Sequence, residues 1–475
     1  MAGCGTERPE AIAAYDAGSN PFGADANAVD AGPSARPASS YPAYDLTLTL
    51  PYMAEARTFD VTVEPRATRL DVHFNVDTTG SFTGEITNLK SSLGNFVIPR
   101  LRERVPDLAM GVSRFADFPV APFGRNTDQP YNLLAPITTD YNRVFGAVNG
   151  LDQPLQNGGD IPESWGESLY QIATGEGLRG SSGAQVIPAF VPPPGTPATA
   201  LPGGVGFRAG AARVVVNVTD APSHEPLSYG ELVTGTHSLA QVTAALRAVN
   251  ARLIGIASGE GSRAQMERLA TGTGATVPAV VGRCATGIAG SSRPSVGDRC
   301  PLVFDISADG AGLGAAVVDA IVSFLDALAF QTVTASAVSD PGGFVQAIHA
   351  IEAAAPEGTP LPERQDRAPA GALDGLDDTF VNVQTRTRLT FRVIARNTTR
   401  VAQEYPQLFF ARVQLVGDGV VVGERVVRVI VPEGPKPDAG VDAARSADAV
   451  APDLTAPTED APSVLDASAD GASAP

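Results

Sequence analysis

Between Leu70 and about residue 330 the chain switches repeatedly between strand-length apolar runs and helical spacing. That rhythm constrains the fold more than any other feature. Leu70-Asp-Val-His-Phe-Asn-Val76 has strand length and ends at Asp77 and a polar turn. Ile86, Leu89, Leu93, Val97 and Leu101 then recur at helical spacing, which predicts a helix over 84–104. A strand from Leu108 to Ala116, helices near 139–149 and 163–173, and the buried strand Val214 to Val218 follow. A helix at 238–249, a strand from Leu253 to Ile256, a helix at 261–271, a short strand near 276–281 and a helix at 313–329 complete the series. Strands alternating with helices specify a doubly wound, mostly parallel α/β sheet, whose ligands bind at the carboxyl ends of the strands. The stretch 177–210, with Pro192 to Gly195 and Pro202-Gly-Gly, breaks the rhythm and reads as a long surface insertion.

The flanks are β-like. Asp45-Leu-Thr-Leu-Thr-Leu50 and Thr58-Phe-Asp-Val-Thr-Val-Glu64 alternate strictly, with one buried and one wet face each. Beyond 331, Leu389 to Val393, Leu408 to Val413 and Val426 to Ile430 alternate again, and Gly417-Asp418-Gly419 is a hairpin turn between the last two. Two strands alone cannot bury a face, so segments 44–66 and 331–432 are expected to close into one β-sandwich around an α/β domain at 67–330.

Charge is uneven. The 34 Lys and Arg against 52 Asp and Glu give a net charge of -18, which argues against nucleic acid or a basic membrane-docking face. A hydrophobic share of 43% excludes wholesale disorder. Much of the acid lies in Asp-Ala, Pro and Ser-rich ends, 1–43 and 433–475, which are expected to be disordered. Cys4, in Met1-Ala-Gly-Cys4-Gly5, resembles the end of a bacterial lipoprotein signal peptide whose apolar part is missing from this sequence. The expectation is an exported envelope protein lipidated at Cys4, its one link to a membrane. Cys284 and Cys300 bracket a Gly, Ser and Pro-rich loop and suit an exported disulfide. The most apolar long stretch, 311–330, contains Asp319 and Asp326 and reads as an amphipathic helix.

Asp77-Thr78-Thr79-Gly80-Ser81 places a carboxylate and two hydroxyls at alternate positions of a strand-to-helix turn. Such a set can converge on one hard cation, which takes oxygen ligands; a helix N-cap is the competing reading. Asp117 follows the second core strand, Gly158-Gly-Asp160-Ile-Pro162-Glu163 opens a helix, and Thr219-Asp220-Ala221 ends the strand begun at Val214. All face one sheet edge, where so many acids would repel one another without a cation.

Together these motifs resemble a von Willebrand factor A domain with a metal-ion-dependent adhesion site. More narrowly they are similar to the integrin β subunit I-like domain, which is inserted in a β-sandwich hybrid domain. The resemblance implies Mg²⁺, or Mn²⁺ in its place, held by Asp77, Thr79, Ser81 and Glu163, with Asp220 behind them. It implies a Ca²⁺-type site from Asp117, Asp160, the Pro162 carbonyl and Glu163, where the family has Asn at the position of Gly158. A third integrin site uses two acids after the turn; here those positions are Gly84 and Glu85, leaving Glu85. The implied function is cation-dependent adhesion or protein recognition, with an acidic residue of the partner completing Mg²⁺ coordination and no catalysis. A structural scaffold subunit with a stabilising metal is the alternative. His73 and Trp165 read as packing residues, Glu167 as a cap or ion-pair residue, and Ser223-His224 as rim residues rather than part of a Ser-His-Asp triad.

Overall fold

The computed structural model describes residues 42–180, 185–192, 201–367 and 375–434. Cys4, most of the N-terminal segment and nearly all of the acidic C-terminal tail lie outside the described residues. In chain order the main elements begin with β1 (Leu46–Thr49), β2 (Arg57–Val63), β3 (Arg69–Asp77), α1 (Thr83–Ser92), α2 (Ile98–Arg104) and β4 (Asp107–Phe115). Next come β5 (Asn132–Thr138), α3 (Tyr141–Asn149), α4 (Trp165–Thr174), β6 (Ala212–Thr219), α5 (Leu239–Ala248), β7 (Ala251–Ala257), α6 (Glu260–Thr273), β8 (Val303–Asp305) and α7 (Leu313–Asp326). The last are β9 (Phe330–Ser339), β10 (Val345–Ala354), β11 (Glu363–Gln365), β12 (Thr379–Val383), β13 (Arg388–Ala395), β14 (Gln407–Gly417) and β15 (Val420–Val431).

The central sheet has the order β8-β7-β6-β3-β4-β5. Every neighbouring pair is parallel except β4 and β5. β3 lies in the middle, between β4 and β6, and is buried along nearly its whole length. Its polar residues are therefore paired inside. Asn75 Nδ2 donates to Asn217 Oδ1 at 2.8 Å, while Ser113 Oγ and Ser168 Oγ donate to Asn75 Oδ1 at 2.9 and 2.7 Å. His73 is buried on the same strand, 3.0 Å from Ser113 Oγ. At the amino end of β3, the buried Asp71 carboxylate takes the Arg208 backbone N–H and guanidinium, each at 2.6 Å. These bonds satisfy groups whose burial would otherwise be costly.

Three local expectations change. The helix over 84–104 is two helices joined by a π-turn, Leu93–Val97, just before Pro99, which has no N–H to continue the ladder. β5 was not foreseen: it is an antiparallel edge strand containing Pro136, which an edge tolerates. The 177–210 stretch is not wholly superficial, because Ile187, Val205 and Phe207 are buried and Val205 O accepts the Ile137 N–H at 2.9 Å.

The remaining strands form a six-stranded sheet, β1-β15-β14-β9-β12-β11, and a three-stranded sheet, β10-β13-β2. β1 runs parallel to β15 and β2 antiparallel to β13, so strands from before and after the α/β unit share both sheets. Leu50, Phe344, Ala395, Ala411, Val427, Val429 and Val431 form one apolar cluster from these parts. The β14–β15 turn is Asp418-Gly419, both with positive φ (47° and 82°), as a two-residue primed turn requires. Cys284 and Cys300 are disulfide-bonded, and Thr276–Pro278 pairs with Arg299–Pro301 beside the bond. Among the described residues no helix is long and apolar enough to cross a membrane.

Candidate metal centre

Asp77, the last residue of β3, is fully buried. Its Oδ1 accepts the Thr79 N–H at 2.9 Å and the Thr79 hydroxyl at 2.7 Å. Its Oδ2 accepts the Thr219 hydroxyl at 2.7 Å, across from the end of β6. Ser81 Oγ lies 3.4 Å from Thr79 Oγ1. The alternate positions of the turn thus converge as oxygens on one spot. The N-cap reading does not hold, because neither the 3₁₀ turn Gly80–Phe82 nor α1 has a side-chain cap.

The loop before α4 is stapled into place by backbone bonds. The Gln156 N–H donates to Thr78 O, the Glu163 N–H to Pro222 O and the Ser164 N–H to Ala116 O, at 2.9, 2.9 and 3.0 Å. The His224 N–H returns to Glu163 O at 2.9 Å. Glu163 is buried, and no hydrogen bond reaches its Oε2. Burial and the negative charges of Asp77, Asp117, Asp160 and Asp128 push its carboxyl up to about 11. Burial raises Asp77 to about 7 despite its hydrogen bonds, with Asp220 adding to the rise. Two carboxyls this unfavourable as anions need either protons or a cation, and their convergent oxygens suit a hard divalent ion.

Beside them, Asp117 Oδ1 accepts the Phe118 N–H at 2.6 Å and the Tyr229 hydroxyl at 2.9 Å. Asp117 Oδ2 and Asp160 Oδ1 lie 3.2 and 3.3 Å from His224 Nε2. The exchange is lopsided. Burial raises Asp117 more than His224 and its other partners lower it. Burial also works against charge on His224, but Asp117 and Asp160 together outweigh it and raise that pKa. The imidazole packs on Phe123 and Tyr229, with ring centroids 5.1 and 4.5 Å away.

Glu85 is buried in the first turn of α1, and its Oε2 has no hydrogen bond. Burial raises its pKa, with further contributions from Asp220 and Asp309. Both glycines at which the sequence departs from the resemblance stand close to other atoms. A Cβ on Gly84 would stand 2.6 Å from Asp309 O, and one on Gly158 would stand 2.7 Å from Glu163 Oε1. Pro162 is half-buried in the loop.

Trp165 is a core residue whose Nε1 donates to Ala221 O at 3.0 Å. Glu167 takes the Gln171 amide and the His237 N–H, at 2.8 and 2.9 Å. Ser223 Oγ donates to His224 O at 2.9 Å and accepts the Gly166 N–H at 3.0 Å, so it makes no triad with the imidazole. Thr219 and His224 were expected at this edge, but their contacts with Asp77 and with Asp117 and Asp160 were not, and Asp309 was not foreseen beside Glu85.

Comparison with solved structures finds a von Willebrand factor type A protein from Catenulispora acidiphila, 12% identical over 82% of this chain and 74% of that one, with a TM-score of 0.33. It also finds proximal thread matrix protein 1 from the mussel byssus, 13% identical over 56% of this chain and 48% of that one, with a TM-score of 0.30. No protein-family profile and no characterised protein sequence matches the chain.

Proposed function

We propose that this chain is a cation-dependent protein-recognition module of the von Willebrand factor A type. In this reading Asp77, Thr79, Ser81 and Glu163 hold Mg²⁺, or Mn²⁺ in its place, with Asp220 nearby. The observation that carries the reading is the buried pair Asp77 and Glu163, raised to about 7 and about 11 and set beside two hydroxyls. A bound Mg²⁺ supplies a position for an oxygen of a partner's acidic side chain. The chain's own residues orient that position. Thr219 fixes Asp77, the staples at Gln156, Glu163 and Ser164 fix the loop, and exposed Ser81 leaves the spot open to solvent. Ile161 and Leu227, 77% and 96% exposed, stand beside Asp160 and Ser228 in sequence and offer apolar contacts at the rim.

The closer likeness to an integrin β I-like domain set in a hybrid-like sandwich rests on the Asp-x-Pro-Glu segment and the shared flanking strands. Export and lipidation at Cys4 rest on the sequence alone. Mass spectrometry of the native protein checks them, and an unmodified N-terminus retaining Met1 would refute them. The stapled loops favour a second reading, in which the ion only stiffens a scaffold of an envelope complex.

Asp77→Ala separates the two readings. Recognition predicts that partner capture from envelope extracts in Mg²⁺ disappears in the variant, and in EDTA for the parent, while the fold survives. Capture that persists in the variant while its melting temperature falls supports the scaffold.

A further inference from the structure

We propose that Asp117, Asp160 and His224 form a separate site for a borderline divalent ion of the Zn²⁺ class, in place of the Ca²⁺ expected there. One ligand atom from each residue lies within 4.8 Å of the other two. Ligands spaced about 2.0–2.1 Å from a tetrahedral ion stand roughly 3.3–3.4 Å from one another. The observed separations from His224 Nε2, 3.2 Å to Asp117 and 3.3 Å to Asp160, match that spacing.

The imidazole is oriented as a metal ligand requires. Ser228 Oγ donates its one hydrogen to Glu225 O at 2.6 Å, so it accepts from His224 Nδ1 at 2.8 Å. Nδ1 therefore carries a hydrogen, and in the neutral ring the Nε2 lone pair faces the two carboxylates. A ligating histidine commonly donates its other ring N–H to such an acceptor.

A second observation is independent of this clustering. Asp117 is wholly buried, yet its Oδ2 has no hydrogen-bond partner although His224 Nε2 stands 3.2 Å away. A buried carboxylate oxygen left without a hydrogen bond is costly, and a metal bond does not need a donor hydrogen. Asp160 is exposed, so the point is reachable from solvent.

The donor set disfavours Ca²⁺, which takes six to eight oxygens. Asp117 Oδ1 is already committed to Phe118 and Tyr229, Gly158 has no side-chain oxygen, and one of the three donors is nitrogen. The inference does not rest on Mg²⁺ at Asp77.

The test is Co²⁺ and Zn²⁺ titration of the full chain after chelator treatment, in excess Mg²⁺ and Ca²⁺, following the Co²⁺ visible spectrum and metal content. One Co²⁺ with a tetrahedral spectrum, displaced by Zn²⁺ but not by Ca²⁺, is expected. His224→Ala should weaken it at least tenfold, Ser228→Ala on the order of tenfold, and Asp77→Ala should leave it in place. Circular dichroism verifies that each variant is folded; if His224→Ala is not, Ser228→Ala carries the test. Absence of binding in the parent would overturn the proposal and leave His224 as an imidazolium paired with both acids. Binding lost in Asp77→Ala but kept in His224→Ala would also overturn it, by placing the ion at the other centre.

Discussion

Glu163 is held above its ordinary 4.5, at about 11, by burial and four neighbouring acids. In the cation-free protein the folded state therefore keeps a proton that the unfolded chain gives up. That stability is fully present below about pH 4.5 and is lost as pH rises toward the folded value, at up to about 1.4 kcal/mol per pH unit. Asp77 acts in the same direction between 3.8 and about 7. A cation replaces those protons. The rise in melting temperature on adding Mg²⁺ is therefore expected to be larger at pH 8 than at pH 5, and an equal rise at both would contradict it. Glu163→Gln should raise the melting temperature in EDTA and abolish the Mg²⁺ increment. Gly158→Ala should cost about 1–3 kcal/mol, because φ is positive there and the added Cβ meets Glu163; urea titration measures it. Asp77, Thr79 and Ser81 were legible in the sequence because their spacing within one turn is local. The contacts of Thr219 and His224, and the approach of Asp309, were not, since they arise only through the order of strands in the sheet.

At the scale of elements, the alternation of periods revealed the parallel core well, because strands buried on both faces make continuous apolar runs. It failed where a neighbour overrides the local pattern. β5 pairs on one side only, and its Pro136 and half-buried residues leave no clear period. The π-turn in 93–97 keeps Leu93 and Val97 buried, so helical spacing continued across it. The segment 276–301 has little core of its own, being two small two-stranded ribbons tied by Cys284 and Cys300, 16 residues apart. Cys284→Ser with Cys300→Ser is expected to lower stability by roughly 3 kcal/mol, as for a loop of that length. Calorimetry against the parent checks this, and no change would mean that α6 and β8 hold the segment unaided.

For the molecule as a whole, β1 and β2 lie far in sequence from the strands they complete. Leu50 and Val61 are buried through these pairings. Removing residues 44–66 should expose the edges of β15 and β13 and give an aggregating or partly unfolded product. A soluble, cooperatively melting truncation would contradict this. The two flanks were recognisable as strands that join 331–432, but which strands they pair with was not, because alternation carries no information about partner or register.

The Asp418-Gly419 turn has a wider consequence. Asp418 takes the N–H groups of Gln331 and Thr332 at 2.7 and 2.9 Å, where the chain leaves the α/β unit. Val421, three residues on, takes the N–H of Thr68 at 3.0 Å, where the chain goes in. Three residues of chain reach at most about 10 Å, so the two anchoring residues lie close together. Closing a loop costs more entropy the longer the flexible chain between its ends. Once the α/β unit has folded and gathered its ends, the stretch between Thr68 and Gln331 behaves for the two outer sheets like a short tether, so β2 meets β13 at little more entropic cost than in an ordinary hairpin.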